Sequence, residues 1–185
     1  MYKILFVGIY VIVEYFLTFN ITKKYIDNTK ETINMFKSDF WTSQYFVIFF
    51  TVILISLVYY FFYTDYMLFE SLDLLWCLLI IFSGVIEYKA IKELKENYYP
   101  QVGPEKRIVT TGIYKHIRHP IYLSAMILGS SLILLFSFKL VIYLLPILLI
   151  SIILKIETED KYLLNNHKEY RQYSKTSKKI IPFVY

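Results

Sequence analysis

Residues 120–154 read PIYLSAMILGSSLILLFSFKLVIYLLPILLISIIL, and their interpretation decides the fold. Two apolar runs, about 120–136 and 140–156, are separated only by Ser137, Phe138 and Lys139. Each approaches the roughly 20 apolar residues with which a helix crosses the hydrocarbon core of a bilayer. Pro120 suits a first helical position, where its missing N–H costs nothing. The stretch therefore reads as two spanning helices joined by a tight turn, a helical hairpin.

The rest of the chain follows the same pattern. Of its 185 residues, 57% are hydrophobic, and mean hydropathy is +0.47. Soluble domains usually stay below about half apolar. Three further apolar runs cover about residues 3–20, 42–63 and 70–92. The expectation is an all-α integral membrane protein with about five transmembrane helices, a C-terminal amphipathic helix and no Rossmann domain. One membrane domain would fill 1–185, divided into N-terminal helices (1–74) and a core (75–185). Many of the 19 Tyr and 15 Phe lie near the ends of apolar runs, where amphipathic rings settle at a bilayer interface. The first run carries Glu14 and lacks a small-x-small cleavage pattern, so a retained helix is expected rather than a signal peptide. Cys77 is the only cysteine, which excludes an intramolecular disulfide and a cysteine zinc site. It reads as a small buried apolar residue.

Five spans place the termini on opposite sides. All Lys and Arg except Lys3 and Lys139 then fall on one side, in residues 21–41, 89–119 and the tail from 155. The positive-inside rule puts the N-terminus outside and the C-terminus in the cytoplasm, of a cell membrane. Part of the basic excess suits anionic lipid heads, and no nucleic-acid partner is needed to explain it. Nearly all the polar material is thus cytoplasmic.

Gly8, Gly84, Gly103, Gly112 and Gly129 form neither a GxGxxG nor a P-loop pattern. His116 and His119 have no Cys or carboxylate nearby at ligand spacing, so no metal site is expected. Two polar clusters remain. The first, GIYKHIRHPIYLS (112–124), reads either as a helix start with Lys115 and Arg118 as interfacial anchors, or as a ligand site. In the second case Arg118, His119 and helix-start N–H groups hold an anion or polar ligand. The second, KIETEDKYLLNNHKEYRQYSK (155–175), reads as an amphipathic continuation of the fifth helix, with Ile156, Tyr162, Leu163, Tyr170 and Tyr173 on its apolar side. Glu157, Glu159 and Asp160 form either a solvated face with pairs such as Glu157–Lys161 or an acidic site. Such a site would recognise a cationic amine or sulfonium, or pair with Arg118. An antiparallel hairpin puts Arg118 and Glu159 at the same depth. Ser124, Ala125, Gly129 and Ser130 suit close helix approach, or room for a ligand tail. Glu14 and Glu87, in or near spans, are interfacial, paired or functional.

Gly112, Tyr114, Arg118, His119, Pro120 and Tyr122, then Glu159, Asp160 and Leu163, then Tyr170, Tyr173 and Pro182, resemble the isoprenylcysteine carboxyl methyltransferase family, which is related to the membrane phospholipid methyltransferases. The resemblance covers about residues 75–182. It departs at Asp160, where the pattern has Glu, at Asn166–His167, where it usually has Phe-Gly, and at Ser124, often Gly. It implies S-adenosyl-L-methionine as cofactor, bound without a Rossmann fold in a cytoplasmic pocket at the ends of the last two helices and the C-terminal segment. The implied cofactor-binding residues are Tyr114, Arg118, His119, Pro120, Tyr122, Glu159 and Asp160. Arg118, His119 and Glu159 take the catalytic roles, with His119 the base for a hydroxyl acceptor. The implied partner is a lipophilic acceptor, such as an isoprenylated cysteine, entering from the bilayer and methylated on oxygen. Glu14 through Lys24 also looks like bacterial members that methylate long-chain pyrones. An R-H-P-x-Y element occurs as well in NADPH-dependent membrane enone and sterol reductases, which makes these the alternative, beside a non-enzymatic membrane scaffold.

Overall fold

A computed structural model describes residues 2–25, 40–63, 72–95 and 108–181. Among these residues there are six α-helices and no strand: α1 (Tyr2–Tyr25), α2 (Phe40–Tyr63), α3 (Asp73–Leu94), α4 (Pro120–Phe136), α5 (Val141–Asn166) and α6 (Lys168–Thr176). Pro182 lies outside the described residues. The bounds of α4 coincide with the expected 120–136 run, since Pro120 opens the helix.

Helices α3 and α5 are long and apolar enough to cross a bilayer. The apolar segments Val47–Tyr63 in α2 and Pro120–Phe136 in α4 are shorter. The surface has the character that lipid requires of its contacts. Leu5, Phe16, Phe50, Phe62, Leu74, Ile142 and Tyr143 all point outward. The buried set, by contrast, contains Lys3, Ser56, Asp73, Ser83, Ser124, Ser137, Lys155 and Asp160.

Helix α4 is central. It packs most extensively on α3 and also against α2 and α5, while α1 packs on α3 and α6 on α5. Tyr45, Val52, Ile133, Leu144, Leu148, Ile152 and Ile156 fill the space between α2, α4 and α5. Tyr60, Ile80, Leu132, Leu135 and Phe136 form a second cluster. Gly129 allows the α4–α5 approach: a Cβ there would come within 2.6 Å of the Leu148 side chain. The Ser137 hydroxyl donates to the Ile133 carbonyl at 3.1 Å and meets Ser56 of α2 at 3.0 Å, fixing the turn into α5. Near the same turn, Lys3 pairs with the fully buried Asp73 at 2.9 Å and donates to the Leu135 carbonyl. The starts of α1 and α3 are thereby tied to the end of α4.

The amphipathic continuation of α5 is not one helix. It stops at Asn166, His167 is extended (φ −123°, ψ 112°), and α6 restarts at Lys168. Arg171 accounts for the stop: its Nε and Nη2 donate to the carbonyls of Leu164 and Asn165, at 2.6 and 3.3 Å, which a helix end leaves without backbone donors. The break folds α6 back, so that Leu163, Tyr170 and Tyr173 share a small core of their own.

Candidate active site

The segment before α4 is built around a glycine. Gly112 has φ +56°, which a Cβ would strain, and the space a Cβ would fill is taken by the Glu93 carboxylate of α3. Glu93 also accepts from the Thr111 hydroxyl at 3.1 Å. A 3₁₀ turn, Gly112–Lys115, then buries Tyr114. The Tyr114 carbonyl accepts a hydrogen bond from the Tyr173 hydroxyl, binding the turn to α6. Residues 116–119 next pair with the C-terminal segment: Arg118 N–H donates to the Lys178 carbonyl at 2.8 Å and His119 N–H to that of Lys179 at 3.0 Å. This pairing brings the chain's end against the start of α4.

Arg118, His119 and Asp160 meet at this end of the bundle. Arg118 Nε and Nη2 lie 3.2 and 3.5 Å from the two carboxylate oxygens of Asp160. Its Nη1 donates to the carbonyls of Ser174 and Ser177, at 3.0 and 2.6 Å. His119 Nε2 is 3.3 Å from Asp160 Oδ1, and the Tyr170 hydroxyl donates to that same oxygen at 2.5 Å. Burial opposes charge on Asp160. The hydrogen bonds from His119 and Tyr170, with the Arg118 guanidinium, outweigh it and hold the carboxyl well below the usual carboxylate range. An ionised carboxylate only accepts, so the proton of His119 is placed on Nε2. Burial, then the bond to Asp160, pushes the Tyr170 phenol far up, and burial pushes Tyr173 up to about 12. Both stay neutral donors.

Glu159 lies beside this group. It accepts from the Tyr122 hydroxyl at 2.5 Å, and its Oε1 is 3.8 Å from His119 Nδ1. Its side chain is 24% exposed, against 6% for Asp160. The ring of Tyr122 stands 5.7 Å from His119 and 6.0 Å from Tyr45 of α2, so an aromatic wall continues toward the bundle interior. Lys179 reaches Glu157 and lies 3.8 Å from Asp160 Oδ2.

Several expectations change in detail. Arg118 pairs across to the acidic stretch of α5, and of its three carboxylates the partner is Asp160. One residue is about 100° of helix rotation: Asp160 turns toward the buried guanidinium, while Glu159 turns toward the Tyr122 hydroxyl. Glu157 pairs with Lys179 instead of Lys161. The sequence reading did not identify Lys179, Ser174 and Ser177. Two of these act through backbone carbonyls, which carry no side-chain signature. Tyr170 and Tyr173 entered as apolar-side residues of an amphipathic helix and as spaced aromatics of a motif, not as donors to Asp160 and Tyr114. Glu87 accepts from Ser124 of α4 at 3.1 Å, and the Glu14 carboxylate rests against Gly84, whose Cβ it would meet at 2.7 Å. Both carboxylates therefore lie between helices. Among the described residues no group of three His, Cys, Asp or Glu is placed to hold a metal.

No curated protein matches the chain. A model of the isoprenylcysteine carboxyl methyltransferase family matches residues 75–165, which run from α3 through Arg118 and His119 to Glu159 and Asp160. Residues 75–165 thus carry the pattern of the isoprenylcysteine carboxyl methyltransferase family.

Proposed function

We propose that the protein is an S-adenosyl-L-methionine-dependent membrane methyltransferase that methylates an oxygen, carboxylate or hydroxyl, of a lipophilic acceptor such as an isoprenylated cysteine. The observation that carries this reading is the closure of Arg118, His119, Asp160 and Tyr170 into one hydrogen-bonded group at the meeting of α4, α5, α6 and the C-terminal segment. The family match covers the first three of these residues. The surrounding bundle is a five-span one with α4 and α5 as a hairpin. Its N-terminus is outside, and the site opens to the cytoplasm where the charge bias puts it.

The residues present fit the donor. Glu159 offers a partly exposed carboxylate for its ammonium, and Tyr122 and His119 offer aromatic faces beside a sulfonium. Bound there, the donor supplies a methyl group on a positively charged sulfur. The protein's part is to align the partners and exclude water. A carboxylate acceptor needs no base. A hydroxyl acceptor would pass its proton to His119 Nδ1, because Asp160 fixes the other nitrogen as the protonated one. The outward apolar faces of the helices offer the acceptor a lateral route from the bilayer.

Titration of the full chain in detergent with S-adenosylhomocysteine, beside NADPH, tests the reading. Saturable binding of the first alone supports it. Binding of NADPH alone transfers the site to the reductases. Binding of neither by folded protein leaves a scaffold.

A further inference from the structure

Within the methyl-donor reading, the cation that meets the donor's carboxylate is decided by how Arg118 is used. Its guanidinium makes four hydrogen bonds, two to Asp160 and two to the carbonyls of Ser174 and Ser177. Its side chain is only 8% exposed, and its Cζ stands 5.9 Å from the Tyr170 ring centre. Guanidinium has five N–H donors in a fixed fork, so nearly all its capacity is spent on holding α5, α6 and the C-terminal segment together. Turning it toward a ligand would strand a buried carboxylate and two carbonyls.

Lys179 differs on each point. The Lys179 backbone carbonyl accepts the His119 N–H, so the residue is held at the start of α4. Its side chain is 20% exposed, and its ammonium, which stands beside Glu157 and Asp160, is carried on a flexible stem that can turn toward a ligand without giving up the backbone contact. It flanks Asp160 on the Oδ2 side. His119, on the Oδ1 side, leads to Glu159. A partly exposed cation and a partly exposed carboxylate therefore stand on either side of one buried Asp160, as the zwitterionic end of an amino acid requires. Lys155, on α5, is by contrast only 3% exposed.

We infer that Lys179 takes the carboxylate at the amino-acid end of the donor, opposite Glu159, and that Arg118 is a positioning residue beneath them. The experiment compares two ligands on the full chain in detergent: S-adenosylhomocysteine, which has the amino-acid end, and 5′-methylthioadenosine, which lacks it. Lys179→Ala should weaken the first by about tenfold or more, the loss of a charge-assisted hydrogen bond, and leave the second unchanged. Lys179→Arg should restore binding. Arg118→Ala should weaken both ligands and lower the melting temperature. Equal weakening of both ligands by Lys179→Ala, no weakening of either, or discrimination lost only in Lys155→Ala would each overturn the inference while the donor reading stands. Wild-type protein that binds no S-adenosylhomocysteine would remove the donor reading and this inference together.

Discussion

Asp160→Asn removes one charge from the centre of the site and keeps its shape. In the wild-type protein Asp160 receives Arg118, His119 and Tyr170, with side-chain exposures of 6% for Asp160 and 8% for Arg118. Breaking a buried pair from one side costs about 3–5 kcal/mol, because the remaining charge is left without its counter-ion. Two carbonyls still solvate Arg118, and Asn retains one acceptor oxygen. We therefore expect the low end, about 3 kcal/mol, or roughly two decades in the folding equilibrium. Thermal unfolding in detergent, read together with proteolysis between α5 and α6, measures it. Acid gives an independent reading. The folded carboxyl is held below its ordinary range, so its contribution is complete above the unfolded value of about 4 and is lost as pH falls from there toward the folded one. Wild-type protein should lose stability over that window, and Asp160→Asn should lose much less. The double variant Arg118→Met with Asp160→Leu strands no charge but still unpairs His119 Nε2, the Tyr170 hydroxyl and the carbonyls of Ser174 and Ser177, so it should recover only part of the stability. An Asp160→Asn protein as stable as wild type, or one with the same acid sensitivity, would refute the argument.

At Gly112, Ala would meet the Glu93 carboxylate and a positive φ together, and we expect a loss of about 1–3 kcal/mol by the same unfolding assay. Lys3→Ala should be more damaging, about 3–5 kcal/mol, because Asp73 is fully buried. Since this pair lies beside the α4–α5 turn, binding of S-adenosylhomocysteine by the folded fraction should be unaffected. Tyr122→Phe should do the opposite. It leaves Glu159 to water at a partly exposed position, so stability should change by less than about 1.5 kcal/mol while affinity for S-adenosylhomocysteine falls, as calorimetry would show.

Much of this arrangement is legible along the chain because it depends on local composition. The run from Pro120 to Phe136 is a helix at the expected bounds. Apolar length defines its body, and a proline favoured at the first helical position defines its start. The depth at which Arg118 meets the acidic stretch of α5 follows from two helices of fixed rise joined by a short turn. Local pattern could not decide which carboxylate Arg118 meets. Glu159 and Asp160 are adjacent in sequence but about 100° apart on the helix, and only the packing of α4 on α5 selects Asp160 for burial and leaves Glu159 at the surface. The end of α5 is similar: Arg171, seven residues beyond Leu164, caps it from the next helix. Lys179 and the carbonyls of Ser174 and Ser177 join the site only because the C-terminal segment pairs with residues 116–119. That contact lies about 60 residues away along the chain, beyond the reach of any helical or strand period. Sequence thus set the apolar helices, the charge bias and the level of the polar cluster, whereas tertiary packing chose which of its charges are buried and which remain partly exposed.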